Sequence, residues 1–148
     1  MSDIRSPILL VEDDPNDILF FEKALQRCAP EARLQIVRDG QEAMDYLDAK
    51  GAYTDRAKFP PPAVVVLDLK LPARDGLEVL TTMRARHDLQ HIPVVVLTSS
   101  QESRDVGSSR ELGVDEYLIK PVRFADLLRI VQNIGARWGT PTGQGIGS

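Results

Sequence analysis

At 148 residues, 43% hydrophobic and 27% charged, the chain has the size and balance of one folded domain and the composition of neither a disordered nor a fibrous protein. Its net charge of -4 offers no basic face to nucleic acid or to an anionic membrane, and no segment approaches the roughly 18 apolar residues needed to span a bilayer. The single cysteine, Cys28, excludes an intramolecular disulfide, and with no signal-peptide pattern over Met1 to Pro7 the expected location is a reducing cytoplasm.

Ile8 to Val11 is a short apolar run, read as a strand buried on both faces, and it ends in Glu12, Asp13 and Asp14. Pro15 suits the first turn of a helix with Asp14 as its N-cap, and Ile18, Phe21, Leu25 and Cys28 share one face of it. Leu34, Ile36 and Val37 make a weaker second strand. After Asp39-Gly40, the spacing of Ala43, Met44 and Leu47 predicts a second helix. Ala49 to Pro62 is a long connection whose three prolines exclude a regular helix at its end. A third strand, Val64 to Leu67, ends in Asp68, and Leu77, Leu80, Met83 and His87 mark a helix after Asp75-Gly76. The fourth strand, Val94 to Leu97, is followed by Thr98. The stretch from Gln101 to Leu112 is polar, contains Gly107, Ser108 and Ser109, and has the weakest helical pattern. Tyr117 to Ile119 form a fifth buried strand before Lys120-Pro121, and Phe124, Leu127, Leu128, Val131, Ile134 and Trp138 make the longest helical stripe. Residues 139–148 are small, polar and glycine-rich, a tail expected to be disordered, which leaves a domain over 6–138.

Strand and helix alternate throughout, which implies an α/β domain with a doubly wound five-stranded parallel sheet and a ligand crevice beyond the carboxyl ends of its strands. Those ends carry Glu12 and Asp13, Asp68, Thr98 and Lys120. Three carboxylates gathered there repel one another, so a cation is expected among them, and an all-oxygen set suits magnesium. Asp68 stands alone at its strand end and is the best nucleophile toward phosphorus, while Glu12 and Asp13 are adjacent and can share the metal. Lys120 and the Thr98 hydroxyl would offset charge on a phosphoryl group. His87 and His91 fall away from the strand ends and read as solvated or half-buried, not as ligands. Ser99 and Ser100 lack the nucleophile elbow and partnered histidine of a serine hydrolase. A metal-dependent phosphatase acting on small molecules would use similar carboxylates. It would need a specificity cap, and only the connection from Ala49 to Pro62 could supply one.

The strings ILLVEDDPND, VVVLDLKLPARDG, VVVLTSS and GVDEYLIKP resemble, in order and spacing, the four signature blocks of response-regulator receiver domains, over Pro7 to Trp138. The resemblance implies a flavodoxin-like fold with strand order 2-1-3-4-5. It implies Glu12, Asp13, Asp68 and the main-chain carbonyl of Lys70 as magnesium ligands, and Asp68 as acceptor of a phosphoryl group from a histidine kinase. Thr98 becomes the conformational switch, Tyr117 its aromatic partner, and Lys120 a phosphate contact before a cis Lys120-Pro121 bond. It also sets the Lys70 side chain beside the phosphoryl group, where an ammonium can pair with phosphate oxygens and obstruct attacking water. The proline-ended connection, DLQHIPVVVLTSS and NIGARW are similar to the stand-alone regulators of bacterial phytochrome histidine kinases. The expected protein is therefore not a metabolic enzyme. It is a phosphorylation-controlled module that catalyses only its own phosphorylation and dephosphorylation and signals by protein contact. Ile130, off the core stripe, gives the last helix an apolar edge for a partner or for a homodimer. A receiver reduced to constitutive docking is disfavoured by the complete acid, threonine and lysine set.

Overall fold

A computed structural model describes residues 6–73, 75–99 and 103–139. Five strands and five helices alternate: β1 (Ile8–Val11), α1 (Pro15–Cys28), β2 (Leu34–Val37), α2 (Gly40–Asp48), β3 (Val64–Leu67), α3 (Gly76–Ala85), β4 (Val94–Thr98), α4 (Ser103–Glu111), β5 (Glu116–Ile119) and α5 (Phe124–Trp138). The strands form one parallel sheet in the order β2-β1-β3-β4-β5, as expected. The chain reverses direction of growth between β1 and β3, so their carboxyl ends flank the crevice.

Local chemistry starts the first three helices. The Asp14 carboxylate accepts from the Asn16 and Asp17 amides, Asp39 from the Glu42 amide and Asp75 from the Leu77 amide. Each satisfies donors that a helix N-terminus leaves unpaired. Side chains alternating across the sheet then build two apolar layers. Leu9, Val11, Val65, Leu67, Val94 and Val96 face α2 and α3 on one side, and Ile8, Leu10, Val64, Val66, Val95 and Leu97 face α1 and α5 on the other. β1, β3 and β4 are buried on both faces. β2 and β5 are not: both lie at sheet edges, most of their residues are half-buried, and Ile119 is exposed.

The connection before β3 is held by aromatic packing. A 3₁₀ turn (Gly51–Tyr53) brings Tyr53 to 5.0 Å from the rings of both Tyr46 and Phe59. The Tyr46 hydroxyl donates to the Pro60 carbonyl at 2.7 Å, and the Tyr53 hydroxyl to Glu42 at 2.6 Å. The segment is thus folded against α2 and is no cap over the strand ends.

α4 sits differently from the other helices. Its inward positions are Asp105 and Ser109, both buried and polar, and the Ser109 Oγ has no hydrogen-bond partner. Beyond its last residue, Arg84 of α3 binds the chain: Nε donates to the Leu112 carbonyl at 2.8 Å and Nη2 to that of Gly113 at 3.4 Å, while Nη1 donates to Gln90 and Ile92.

Besides the expected burial of β5, three expectations are corrected. His87 lies beyond the end of α3, because Arg86 leaves the helix in an extended conformation, and its side chain is exposed. Ile130 is half-buried against the α1-side core, so it is no exposed edge, and the outward residues of α5 include Arg129, Gln132, Asn133 and Arg137. The exposed large apolar side chains among the described residues are Leu19, Phe20, Ile119 and Val122. The Lys120-Pro121 bond is trans, since no cis peptide occurs among the described residues; trans is the form X-Pro bonds favour by about 0.5–1 kcal/mol. Trp138 is half-buried against the same core with the Arg137 guanidinium 4.1 Å from its ring centre. Of the tail, residues 140–148 lie outside the described residues, as do Ser100, Gln101 and Glu102.

Candidate functional site

The strand ends converge as the sequence pattern requires. Asp68 follows β3 and is nearly inaccessible, and its carboxylate is occupied on both oxygens. Oδ1 accepts from the Thr98 hydroxyl at 2.7 Å and from the Lys70 amide at 3.1 Å, and Oδ2 accepts from Lys120 Nζ at 2.8 Å. Thr98 ends β4 and Lys120 follows β5, with the Lys120 amide donating to the Thr98 carbonyl at 2.9 Å.

A glycine makes this arrangement possible from the other side. A Cβ on Gly76 would lie 2.2 Å from the Asp68 carbonyl oxygen and 2.6 Å from the Leu69 Cα. Both neighbours are backbone and neither can yield. Only glycine lets the start of α3 return against the end of β3, where the Gly76 amide donates to the Leu69 carbonyl at 3.0 Å.

Glu12, Asp13 and Asp68 each offer a carboxylate oxygen, and these oxygens lie within 4.8 Å of one another. Three hard anionic donors at that separation fit a divalent cation that takes oxygen ligands. Asp13 is exposed and Glu12 buried, so the cluster opens on one side to an open cleft of about 570 Å³ that is also lined by Lys70 and Ser99. The small, exposed Ser99 leaves that space clear.

Lys120 is the counter-charge of the cluster. Its Nζ lies 2.8 Å from Glu12 Oε1, 2.7 Å from Asp17 Oδ2 and 2.8 Å from Asp68 Oδ2. Burial by itself would lower its pKa, but the hydrogen bonds to Asp17, Asp68 and Glu12 outweigh that and raise it above the ordinary lysine range. Glu12 moves the other way for an acid. Burial, reinforced by the charge of Asp68, raises its pKa to about 7, although the bonds from Lys120 and the Asp14 amide oppose the rise. Desolvation outweighs the salt bridge here, so Glu12 holds its proton to higher pH than an ordinary carboxyl, and a cation bound there would oppose that protonation.

Tyr117 is half-buried against the α2–α3 layer, in register with Val96 and on the Thr98 face of the sheet. The Lys70 side chain does not turn toward Asp68: its Nζ lies 3.4 Å from Asp105 Oδ2 in α4. His87 and His91 are exposed and apart from the cleft.

Two participants were absent from the sequence reading. Asp17 was detectable in principle, since a helix starting at Pro15 puts it in the first turn beside the acids of the β1 end. Asp105 was not, because its inward placement depends on how α4 is rotated.

The comparisons with known proteins agree with this geometry. The family model described as response regulator receiver domain matches residues 8–132. The response regulator Rcp1 of Synechocystis sp. is 42% identical over 141 residues, covering 93% of this chain and 94% of that protein. The crystal structure of its Mn(2+)-bound form is similar with a TM-score of 0.80 at 41% identity, covering 90% of this chain and 94% of that one. The phosphorylated cyanobacterial phytochrome response regulator RcpA gives a TM-score of 0.82 at 37% identity, over 91% of this chain and 94% of that one. The bacteriophytochrome response regulator AtBRR gives 0.75 at 46% identity, over 94% of this chain and 99% of that one. By sheet order, by the acids, threonine and lysine at its strand ends, and by these matches, the chain belongs to the response regulator receiver domain family.

Proposed function

We propose that Asp68 accepts a phosphoryl group from the phosphohistidine of a histidine kinase and that the phosphorylated protein signals by contact with other proteins. The observation that carries this reading is the Asp68 carboxylate, held by Thr98, the Lys70 amide and Lys120 at the mouth of a cleft that also contains Glu12 and Asp13.

In the transfer, one Asp68 oxygen attacks phosphorus and forms a P–O bond while the bond from phosphorus to the donor imidazole breaks. The electron pair leaves on the imidazole nitrogen, and the product is an acyl phosphate. Reversal of charge is what the surrounding side chains manage. Lys120 can release Asp68 and follow the incoming phosphoryl oxygens, and the Thr98 hydroxyl, now bonded to Asp68, can donate to the same oxygens. Glu12, Asp13, Asp68 and the Lys70 carbonyl would hold magnesium, which when bound supplies positive charge to the phosphoryl oxygens. Hydrolysis restores the start: water attacks phosphorus, the acyl P–O bond breaks, and inorganic phosphate leaves a free Asp68 carboxylate.

The likeness to Rcp1, RcpA and AtBRR supports a phytochrome-type kinase as donor and a role in light signalling. The same likeness speaks against a small-molecule phosphatase, as does the connection before β3, which among the described residues is folded against α2 and not over the cleft.

The test is incubation with acetyl phosphate, with and without magnesium, followed by intact mass and size-exclusion chromatography. The expected result is addition of one phosphate that requires magnesium and is lost in Asp68→Asn. Incorporation that survives in Asp68→Asn overturns the assignment. A shift in elution on phosphorylation would identify a homodimer, which through α5 would have to pair a largely polar face.

A further inference from the structure

The ammonium of Lys70 lines the acidic cleft and yet is drawn away from its floor. The Lys70 amide is fixed to Asp68 Oδ1, so the backbone of this residue cannot leave the site; its long side chain can. That side chain crosses to α4, where Nζ lies 3.4 Å from Asp105 Oδ2. The two ends of the pair are unequal, with 51% of the lysine side chain exposed and 4% of the aspartate. A buried carboxylate in the first turn of a helix is set in place by the packing around it, whereas the half-exposed lysine carries its charge on a long flexible stem that can re-aim. The aspartate is therefore the fixed end and the ammonium the adjustable one.

We propose that Asp105 is a positioning residue which restrains the Lys70 ammonium at the α4 edge of the cleft and so sets how fast Asp68 gains and loses its phosphoryl group. This rests on the reading of Asp68 as phospho-acceptor. While Asp105 holds Lys70, the donor meets one positive charge fewer on its approach, and the line along which water attacks phosphorus stays open. Once the acyl phosphate forms, its oxygens compete with Asp105 for the same ammonium. Each capture of Lys70 by the phosphate deprives Asp105 of this partner, so the competition is felt at α4, and by linkage the state of α4 feeds back on the phosphate.

The experiment compares wild type, Asp105→Asn, Lys70→Gln and the double variant in the full chain, with acetyl phosphate and magnesium. It measures the KM and maximal rate of phosphorylation and the rate of dephosphorylation after donor removal. In Asp105→Asn the KM for acetyl phosphate should fall, and dephosphorylation should slow, each by about three- to tenfold, with the maximal rate of phosphorylation nearly unchanged. Both changes should vanish when Asp105→Asn is made in the Lys70→Gln background, and Asp105→Glu should restore wild-type behaviour. Asp105→Ser repeats the measurement should the asparagine variant fold poorly, as judged by circular dichroism. Unchanged KM and lifetime in variants that fold overturn the proposal, as do equal changes with and without the Lys70 amine, because those would come from the helix alone. If wild type itself takes up no phosphate, the reading of Asp68 fails and the role of Asp105 falls with it; uptake by wild type with no effect of Asp105 removes the positioning role alone.

Discussion

Lys120 Nζ reaches Asp68 Oδ2 at 2.8 Å across the end of β4, so the charge of the fifth strand's loop is carried to the third strand's acid without any intervening side chain. The same ammonium also serves Glu12 and Asp17. Replacing it leaves three carboxylates facing one another, two of them nearly buried, and removing one partner of a buried pair is costly. Lys120→Met should lower the stability of the metal-free protein by roughly 2–4 kcal/mol, and magnesium should restore a large share, because a dication offsets the same charges. Thermal melts with and without magnesium check this, and equal losses in both conditions would contradict it.

Glu12 predicts a pH dependence whose sign follows from its raised pKa. Burial lifts it from the usual 4.5 to about 7, so between those values the folded protein binds a proton that the unfolded chain does not. Stability contributed by this group is present below the unfolded value and is lost as pH rises from 4.5 to about 7. A cation must displace that proton, so magnesium affinity should climb from about pH 5.5 to neutrality and then level, with proton release on binding in the acid range. Calorimetric titrations in buffers of different ionisation enthalpy report the released proton directly. An affinity independent of pH over this range, with no proton release, would remove the role given to Glu12.

Thr98→Ala removes the hydroxyl that bonds Asp68 Oδ1 and leaves the Lys70 amide on that oxygen. The variant should lose about 1 kcal/mol of stability and still accept phosphate, while losing the response that the hydroxyl would transmit to α4. Hydrogen exchange over residues 103–112, before and after phosphorylation, separates the two effects. A full phosphorylation-dependent change in exchange would place the coupling elsewhere.

Gly76→Ala should be among the most damaging single-methyl additions, since the new carbon meets the Asp68 carbonyl and the Leu69 Cα. A loss of about 3 kcal/mol or more is expected, together with weaker phosphorylation, as the backbone carrying Asp68 is pushed aside. Wild-type stability and rate in this variant would show that the contact can relax.

Ser109→Ala goes the other way. The Oγ is buried without a hydrogen-bond partner, and deleting it removes a desolvation cost of about 1–3 kcal/mol while favouring helix. A rise in urea midpoint at unchanged m-value is the expected result; a fall would mean that the hydroxyl makes a contact on which the helix depends.

The fold was legible because apolar runs of strand length alternated with helical stripes, and because each of the first three helices announced itself with an aspartate at its cap. The site followed from that order, since strand ends in a parallel sheet must converge: Glu12, Asp13, Asp68, Thr98 and Lys120 needed no tertiary knowledge beyond it. What the pattern could not supply was side-chain direction. The Lys70 ammonium reaches α4 from the edge of the cleft, Ile130 looked exposed and is packed, and Asp17, which the strand-end pattern does not single out, holds Lys120. Those outcomes depend on helix rotation and on competition between charges, neither of which periodicity encodes. β5 was read as buried and is mostly half-buried for a related reason, because an apolar run does not say which strand will lie at an edge.

The four carbonyl contacts of Arg84 have a mechanical meaning. One guanidinium grips the chain just after α4 and the chain entering β4, so the C-terminal end of that helix behaves as a pivot. A nine-residue helix is a lever about 13 Å long, and turning it by about 10° swings its first turn by about 2 Å while its last turn barely moves. Displacement is therefore greatest near Asp105, at the tip closest to the cleft, and smallest where the chain leaves for β5.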